Sequence, residues 1–231
     1  MTSFALRSLL YVPGSNARAL EKAQGLAADM LIIDLEDAVP ADRKDDARAA
    51  MRAAVTAGFP GKQVAVRING TGSAQQAADI AALAGLPLDA IVLPKVDAPA
   101  DLDPVRDIGV PLFAMIETPA AIYAARDIAA DPAAHGLIAG LNDLAHELKL
   151  PDGMDRGAMS HAIQAIVLAA RAAGVWCFDG VYNAIDDAAG FAAEAGEGRR
   201  LGFDGKTLIH PSQVDPCNTA FAPSEREIAA A

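Results

Sequence analysis

The chain has 231 residues, 52% of them hydrophobic and only 5% aromatic, and carries 30 acids against 19 bases for a net charge of −11. That size suits one large domain over residues 1–231 with ample apolar surface for a core. The acidic balance, with no basic cluster, argues against nucleic acid as a partner, and no apolar run reaches the roughly 18 to 20 residues of a membrane span. Cys177 and Cys217 are the only cysteines; they fit free thiols in a reducing compartment, and their spacing matches no zinc motif. The N-terminus lacks a basic segment followed by a small-residue cleavage site, so a cytoplasmic protein is expected.

Short apolar runs alternate with Ala-rich helical stretches along the chain. LLYV (9–12) is followed by Pro13-Gly14-Ser15 and Arg18. Ser15 is the expected N-cap of a helix over NARALEKAQGLAA, whose Ala19, Leu20, Ala23, Leu26 and Ala27 share one face. LIIDL (31–35) runs directly into Glu36 and Asp37, and VAVRI (64–68) contains Arg67 and precedes Asn69. AIVLP (90–94) ends at Lys95, the stretch DAPADLDP (97–104) reads as a loop or short turn, and LFAMI (112–116) ends at Glu117 and Thr118. LIAG (137–140) precedes Asn142 and Asp143; a helix then carries Met159, Ile163, Ile166, Val167 and Ala170 on one face and stops at Gly174. VWCF (175–178) leads to Asp179, KTLI (206–209) leads to His210, and the tail FAPSEREIAAA reads as a helix or a frayed end.

Strand–helix alternation predicts parallel βαβ units, and eight of them in this length predict a closed (β/α)8 barrel rather than an open sheet. Active groups in such barrels gather where the strands end, and here nearly every strand ends in a polar or charged side chain. Glu117 precedes Thr-Pro and Asp143 precedes LAHEL, so each also fits a helix start. Together, on consecutive strand ends, they form a carboxylate pair suited to Mg²⁺, which takes hard oxygen ligands and keeps waters. Arg67, at the end of a buried strand, needs an anion. A salt bridge to Glu36 or Asp37 and bidentate capture of a substrate carboxylate both satisfy that need. Lys95 is a candidate Schiff-base lysine. His210 reads as a core histidine bonded to backbone or as a base, and Asp179 as catalytic or as turn chemistry.

RSLLYVPGSNARALEKA, IIDLEDAV, VRIN, IVLPKV, MIETPAAI, GLNDLA and DGKTLIHPSQV with NTAFAPSE, in that order from about Arg7 to Ser224, resemble the citrate lyase β-subunit-like branch of the HpcH/HpaI aldolase superfamily. The resemblance implies a TIM barrel and a Mg²⁺-dependent carbon–carbon lyase, with Mn²⁺ as a substitute ion. Its substrates would be citryl-, malyl- or citramalyl-CoA-type thioesters, cleaved to an acyl-CoA and a 2-keto acid. Thioester hydrolysis of the malyl-CoA type, and a non-catalytic acyl- and metal-binding subunit, are the alternatives it leaves open. It further implies Glu117 and Asp143 as metal ligands, with Glu117 also at the substrate, and Arg67 as the carboxylate-binding arginine. Glu36 and Asp37 would be the acidic pair that orients Arg67 and hydrogen-bonds metal-bound water, and Arg18 would lie near the coenzyme A thioester. A homotrimer, or a hexamer of trimers, is implied as well. Relatives carry a C-terminal lid with a proton-transfer acid; the sequence ends at Ala231, soon after APSE, so a short form without that lid is expected.

Overall fold

The computed structural model describes residues 6–151 and 156–224, with Glu227 and Ala229; the expectation for the tail past Ser224 otherwise falls outside the described residues. Eight parallel strands close on themselves in sequence order, β1 pairing with β8. They are β1 (Ser8–Pro13), β2 (Met30–Asp34), β3 (Gln63–Arg67), β4 (Ala90–Leu93), β5 (Leu112–Ile116), β6 (Ala134–Ala139), β7 (Trp176–Asp179) and β8 (Gly205–Leu208). Around them run α1 (Ala17–Ala23), α2 (Lys44–Ala57), α3 (Gln76–Leu83), α4 (Asp103–Arg106), α5 (Pro119–Ala129), α6 (Leu141–Glu147), α7 (Ser160–Ala173), α8 (Ala188–Leu201) and α9 (Val214–Ala220).

Side chains alternate across each strand, and this splits the core in two. Leu9, Met30, Ile32, Ala65, Val92, Phe113, Ile138 and Phe178 fill the barrel interior, while Leu10, Leu31, Val66, Ile91 and Leu137 face the helices. Because the inward side chains fill the interior, it is a packed core, so only the rim can hold a ligand. Among the described residues no helix is long and apolar enough to cross a membrane.

Two local expectations change. The N-cap of α1 is Asn16, whose Oδ1 accepts from Ala19 N at 3.0 Å; Asn is as good a cap as Ser, and the helix starts one residue later. That helix also ends at Ala23, so Leu26 and Ala27 lie beyond it, while DAPADLDP forms a short turn as expected, 3-10 over Pro99–Leu102 and continued by α4. Gly174 does end α7, with a left-handed φ of 72°.

Candidate active site

A cavity of about 360 Å³ opens where the strands end, lined by Tyr11, Asp34, Arg67, Met115, Glu117, Asp143 and Thr207 among others. Six different strands contribute, Ala139 adding β6, as the barrel geometry requires.

Asp34 and Arg67 are register partners on β2 and β3, both on the inward side of their strands. Arg67 donates from Nε and from Nη2 to the two carboxylate oxygens of Asp34, each at 2.7 Å. Asp34 also accepts from the backbone N–H of Glu36 at 2.9 Å and of Ala38 at 3.0 Å, so one carboxylate fixes both the guanidinium and the loop after β2. Asp34, not expected in this role, is thus the carboxylate that hydrogen-bonds Arg67, while Glu36 and Asp37, expected to orient it, contribute only ion pairs. Glu36 Oε2 lies 3.0 Å from Nη1 yet is buried without a hydrogen-bond partner, and Asp37 is 3.7 Å away with its side chain 65% exposed. The Nε–Nη2 edge expected to grip a ligand is therefore occupied by Asp34, and Nη1 is the nitrogen left toward the cavity. The missed signal was period two: Asp34 continues the inward series Met30, Ile32.

The loop carrying Glu36 is held from below. Lys44 Nζ donates to Leu35 O at 2.7 Å, Glu36 O at 2.8 Å and Asn69 Oδ1 at 2.9 Å. Asn69 in turn donates to Leu35 O at 3.0 Å and to Asp79 Oδ2 at 2.6 Å. Asn69 thus belongs to a buried scaffold and not to the rim. Lys44 was not singled out, although it begins the helical stripe Ala47, Arg48, Met51, Val55 that α2 buries. Burial, opposed by Arg67, pushes the Glu36 carboxyl up to about 7.

Glu117 ends β5 and turns into the cavity; the helix start after it is served by Thr118, whose Oγ1 accepts from Ala121 N at 3.0 Å. Glu117 Oε1 accepts from Lys95 N at 2.7 Å. That donation depends on an unusual backbone, since Lys95 has a φ of +54°, a region non-glycine residues seldom occupy. Gly140 provides the space beside it: a Cβ there would lie 2.5 Å from Glu117 Oε2. Asp143 is not an N-cap; it sits within the first turn of α6, after the capping Gly140, and shares the cavity with Glu117. Burial first, and Asp143 beside it, push the Glu117 carboxyl up to about 7, against the Lys95 N–H.

Among the described residues neither acid has a cation within ion-pair distance, and no cluster of three or more His, Cys, Asp or Glu could hold an ion alone. Two oxygen donors on one wall, uncompensated and with open space before them, are a donor set that Mg²⁺ fits with its remaining positions left to water or ligand.

Other candidates fall away from this centre. Asp179 is fully buried, bonded to Lys206 Nζ at 3.0 Å and to Arg156 Nη1 at 3.0 Å; it sits one residue beyond inward-facing Phe178, in register with Lys206, and ties the barrel to the helix layer. His210 is exposed, its Nδ1 2.7 Å from Ser212 Oγ at the start of a 3-10 turn, and is not a core histidine. Lys95 presents its backbone to Glu117 while its side chain is exposed, an arrangement unlike the buried, desolvated lysine of Schiff-base chemistry. Arg18 is exposed on α1 and does not line the cavity. Asn142 exchanges amide hydrogen bonds with Asn183 at 2.8 and 3.2 Å, bracing the rim.

The sequence model of HpcH/HpaI aldolase/citrate lyase matches residues 7–211. The chain is 48% identical over 225 residues to a (3S)-malyl-CoA thioesterase of Cereibacter sphaeroides, covering 96% of this chain and 79% of that one. It is 34% identical over 237 residues to the citrate lyase subunit beta of Escherichia coli K12, covering 96% and 78%. Among solved structures, the citrate lyase beta subunit of Mycobacterium tuberculosis complexed with oxaloacetate and magnesium superposes with a TM-score of 0.85 at 33% identity, covering 95% of this chain and 98% of that one. A complex of that organism's CitE with magnesium, acetoacetate and coenzyme A gives a TM-score of 0.85 at 34% identity, covering 98% and 84%.

Proposed function

Since this chain belongs to the HpcH/HpaI aldolase/citrate lyase family, we propose that it is a Mg²⁺-dependent enzyme that hydrolyses a malyl-CoA-type thioester to coenzyme A and a 2-hydroxy acid. The observation that carries the hydrolytic reading is 48% identity across 96% of the chain to proteins named (3S)-malyl-CoA thioesterase. Carbon–carbon cleavage, the leading expectation from sequence, becomes the second reading, supported by the 34% identity to citrate lyase subunit beta and by the oxaloacetate complex of the structural relative.

In this proposal Glu117 and Asp143 hold the ion, which when bound supplies Lewis-acid stabilisation of negative charge on substrate oxygens. Arg67, locked by Asp34, directs Nη1 at the substrate's carboxylate and sets its orientation. Glu36, beside Arg67 and held near neutral pH, is the carboxylate suited to accept a proton from attacking water. The water oxygen bonds to the thioester carbonyl carbon, the C–S bond breaks, and the proton ends on the departing thiolate. Asp37, which also lines the cavity, would hydrogen-bond water beside the ion, and Arg18, exposed on α1, would meet the coenzyme portion. The proposal takes residues 1–231 as one barrel domain, cytoplasmic and assembled as a homotrimer or a hexamer of trimers, which light scattering reads directly.

Incubating the purified protein with Mg²⁺ and (3S)-malyl-CoA separates the two reactions. Hydrolysis releases a free thiol and malate in equal amounts; acetyl-CoA with glyoxylate would establish the second reading instead. Glu117→Ala and Asp143→Ala should each abolish turnover and calorimetric Mg²⁺ binding, and a variant that still binds the ion as wild type does would remove that residue from the site.

A further inference from the structure

Inside the cavity, two hydrogen-bond donors converge on an atom poorly suited to receive them. Tyr11 Oη lies 3.7 Å from Met115 Sδ, and Arg67 Nη1 lies 3.9 Å from the same sulfur. The guanidinium carbon of Arg67 stands 4.8 Å from the centroid of the Tyr11 ring, so the two side chains are stacked and their donor ends point the same way. A thioether is a weak acceptor, and a buried tyrosine hydroxyl ordinarily finds a better one. Among the described residues Tyr11 Oη has no oxygen or nitrogen partner, although it lines the cavity. Arg67 Nη1 likewise hydrogen-bonds no oxygen or nitrogen among the described residues, Asp34 occupying the Nε–Nη2 edge, although it ion-pairs with Glu36 Oε2 at 3.0 Å. A carboxylate has two oxygens and needs two donors; Arg67 alone, as held here, offers only Nη1, and shares that with the Glu36 carboxylate.

We propose that Tyr11 is a substrate-contact residue whose hydroxyl, with Arg67 Nη1, forms a two-point clamp on the substrate's carboxylate, the Met115 sulfur marking where that carboxylate sits. This inference rests on the proposed function in one respect only, that the cavity takes a small carboxylic acid. Burial holds the Tyr11 hydroxyl protonated across the working range, which keeps it a donor. The aromatic face under Arg67 adds cation–π support to the arm that carries the second donor.

The experiment is calorimetric titration of wild type and Tyr11→Phe with (S)-malate and glyoxylate in the presence of Mg²⁺, with melting temperatures and malyl-CoA turnover measured on both. Loss of a hydrogen bond to a charged group predicts roughly tenfold weaker acid binding or more, with a melting temperature unchanged or raised, because the lost hydroxyl contacts only sulfur. Binding within twofold of wild type, a wild type that takes up neither acid, or a Tyr11→Phe protein melting several degrees lower would each overturn the clamp. Tyr11-dependent malate binding in a wild type that turns over no malyl-CoA would sink the proposed function while supporting this inference.

Discussion

Glu36 and Glu117 are the residues through which pH reaches this site. Both carboxyls stand at about 7 in the fold, chiefly from burial, against 4.5 for an ordinary glutamate. Between those values the folded chain holds protons that an unfolded chain has released. Their contribution to stability is therefore full below about pH 4.5 and is lost as pH rises through about 7. Metal-free protein should melt lower at pH 8 than at pH 5.5, and Mg²⁺ should recover the loss at pH 8 by binding the ionised pair. Glu36→Gln and Glu117→Gln should each flatten the slope; the exposed control Asp42→Asn, which changes net charge equally, should not. An unflattened slope in both variants would assign the effect to the overall charge of −11. Lys95 gives a second prediction at this scale. Its left-handed backbone places the N–H on Glu117, so Lys95→Gly, which relaxes that conformation, should keep Mg²⁺ affinity, while Lys95→Val, which resists it, should lose roughly tenfold. Equal losses in a calorimetric titration would mean that the ammonium matters and the backbone does not. Glu117, Asp143 and Arg67 were legible as residues, because charges at the ends of apolar strands have few bland explanations. The roles of Asp34 and Tyr11 were not, because each looked like part of its strand.

Most strands were legible to within about a residue, but β6 begins at Ala134, three residues before LIAG, and α1 ends at Ala23, short of the expected Leu26 and Ala27. The runs at 175–178 and 206–209, the weakest of the eight, fold as Trp176–Asp179 and Gly205–Leu208, since β-branched and aromatic runs between helices have little choice but a buried parallel strand. What periodicity could not supply was fit between strands. Gly136 shows this: on β6, a Cβ would approach Phe113 Cδ1 to 2.9 Å and Trp176 Cβ to 3.1 Å, beside a register irregularity at Leu112/Phe113. Gly136→Ala should cost about 1–3 kcal/mol in denaturant unfolding; a variant as stable as wild type would mean that the aromatic rings there give way freely. From sequence alone that glycine marked nothing. The same limit explains Asp179, whose turn signal was visible while its partners Lys206 and Arg156, 27 and 23 residues away, were not.

For the whole molecule, closure of the barrel is the decisive event. It joins β1 to β8, so that Tyr11 and Thr207, far apart in sequence, line one cavity on neighbouring strands. It also places two acids without an ion-pair partner among the described residues in that cavity, in a chain already carrying −11. Either a proton on Glu117, whose carboxyl stands at about 7, or a bound cation relieves that arrangement, which is why the metal belongs to the proposed function together with the substrate acid. Alternation of apolar runs and helices fixed the number of strands, their parallel sense and the rim as the place for chemistry, because hydrophobic periodicity is local and survives without knowledge of neighbours. Which carboxylate pairs with which guanidinium, and which donors remain for a ligand, is a question of cross-strand register and of the side each residue faces. Residues two positions apart divide those roles, and only the closed barrel decided that Asp34 grips Arg67 with two hydrogen bonds while Glu36 meets it only as an ion pair.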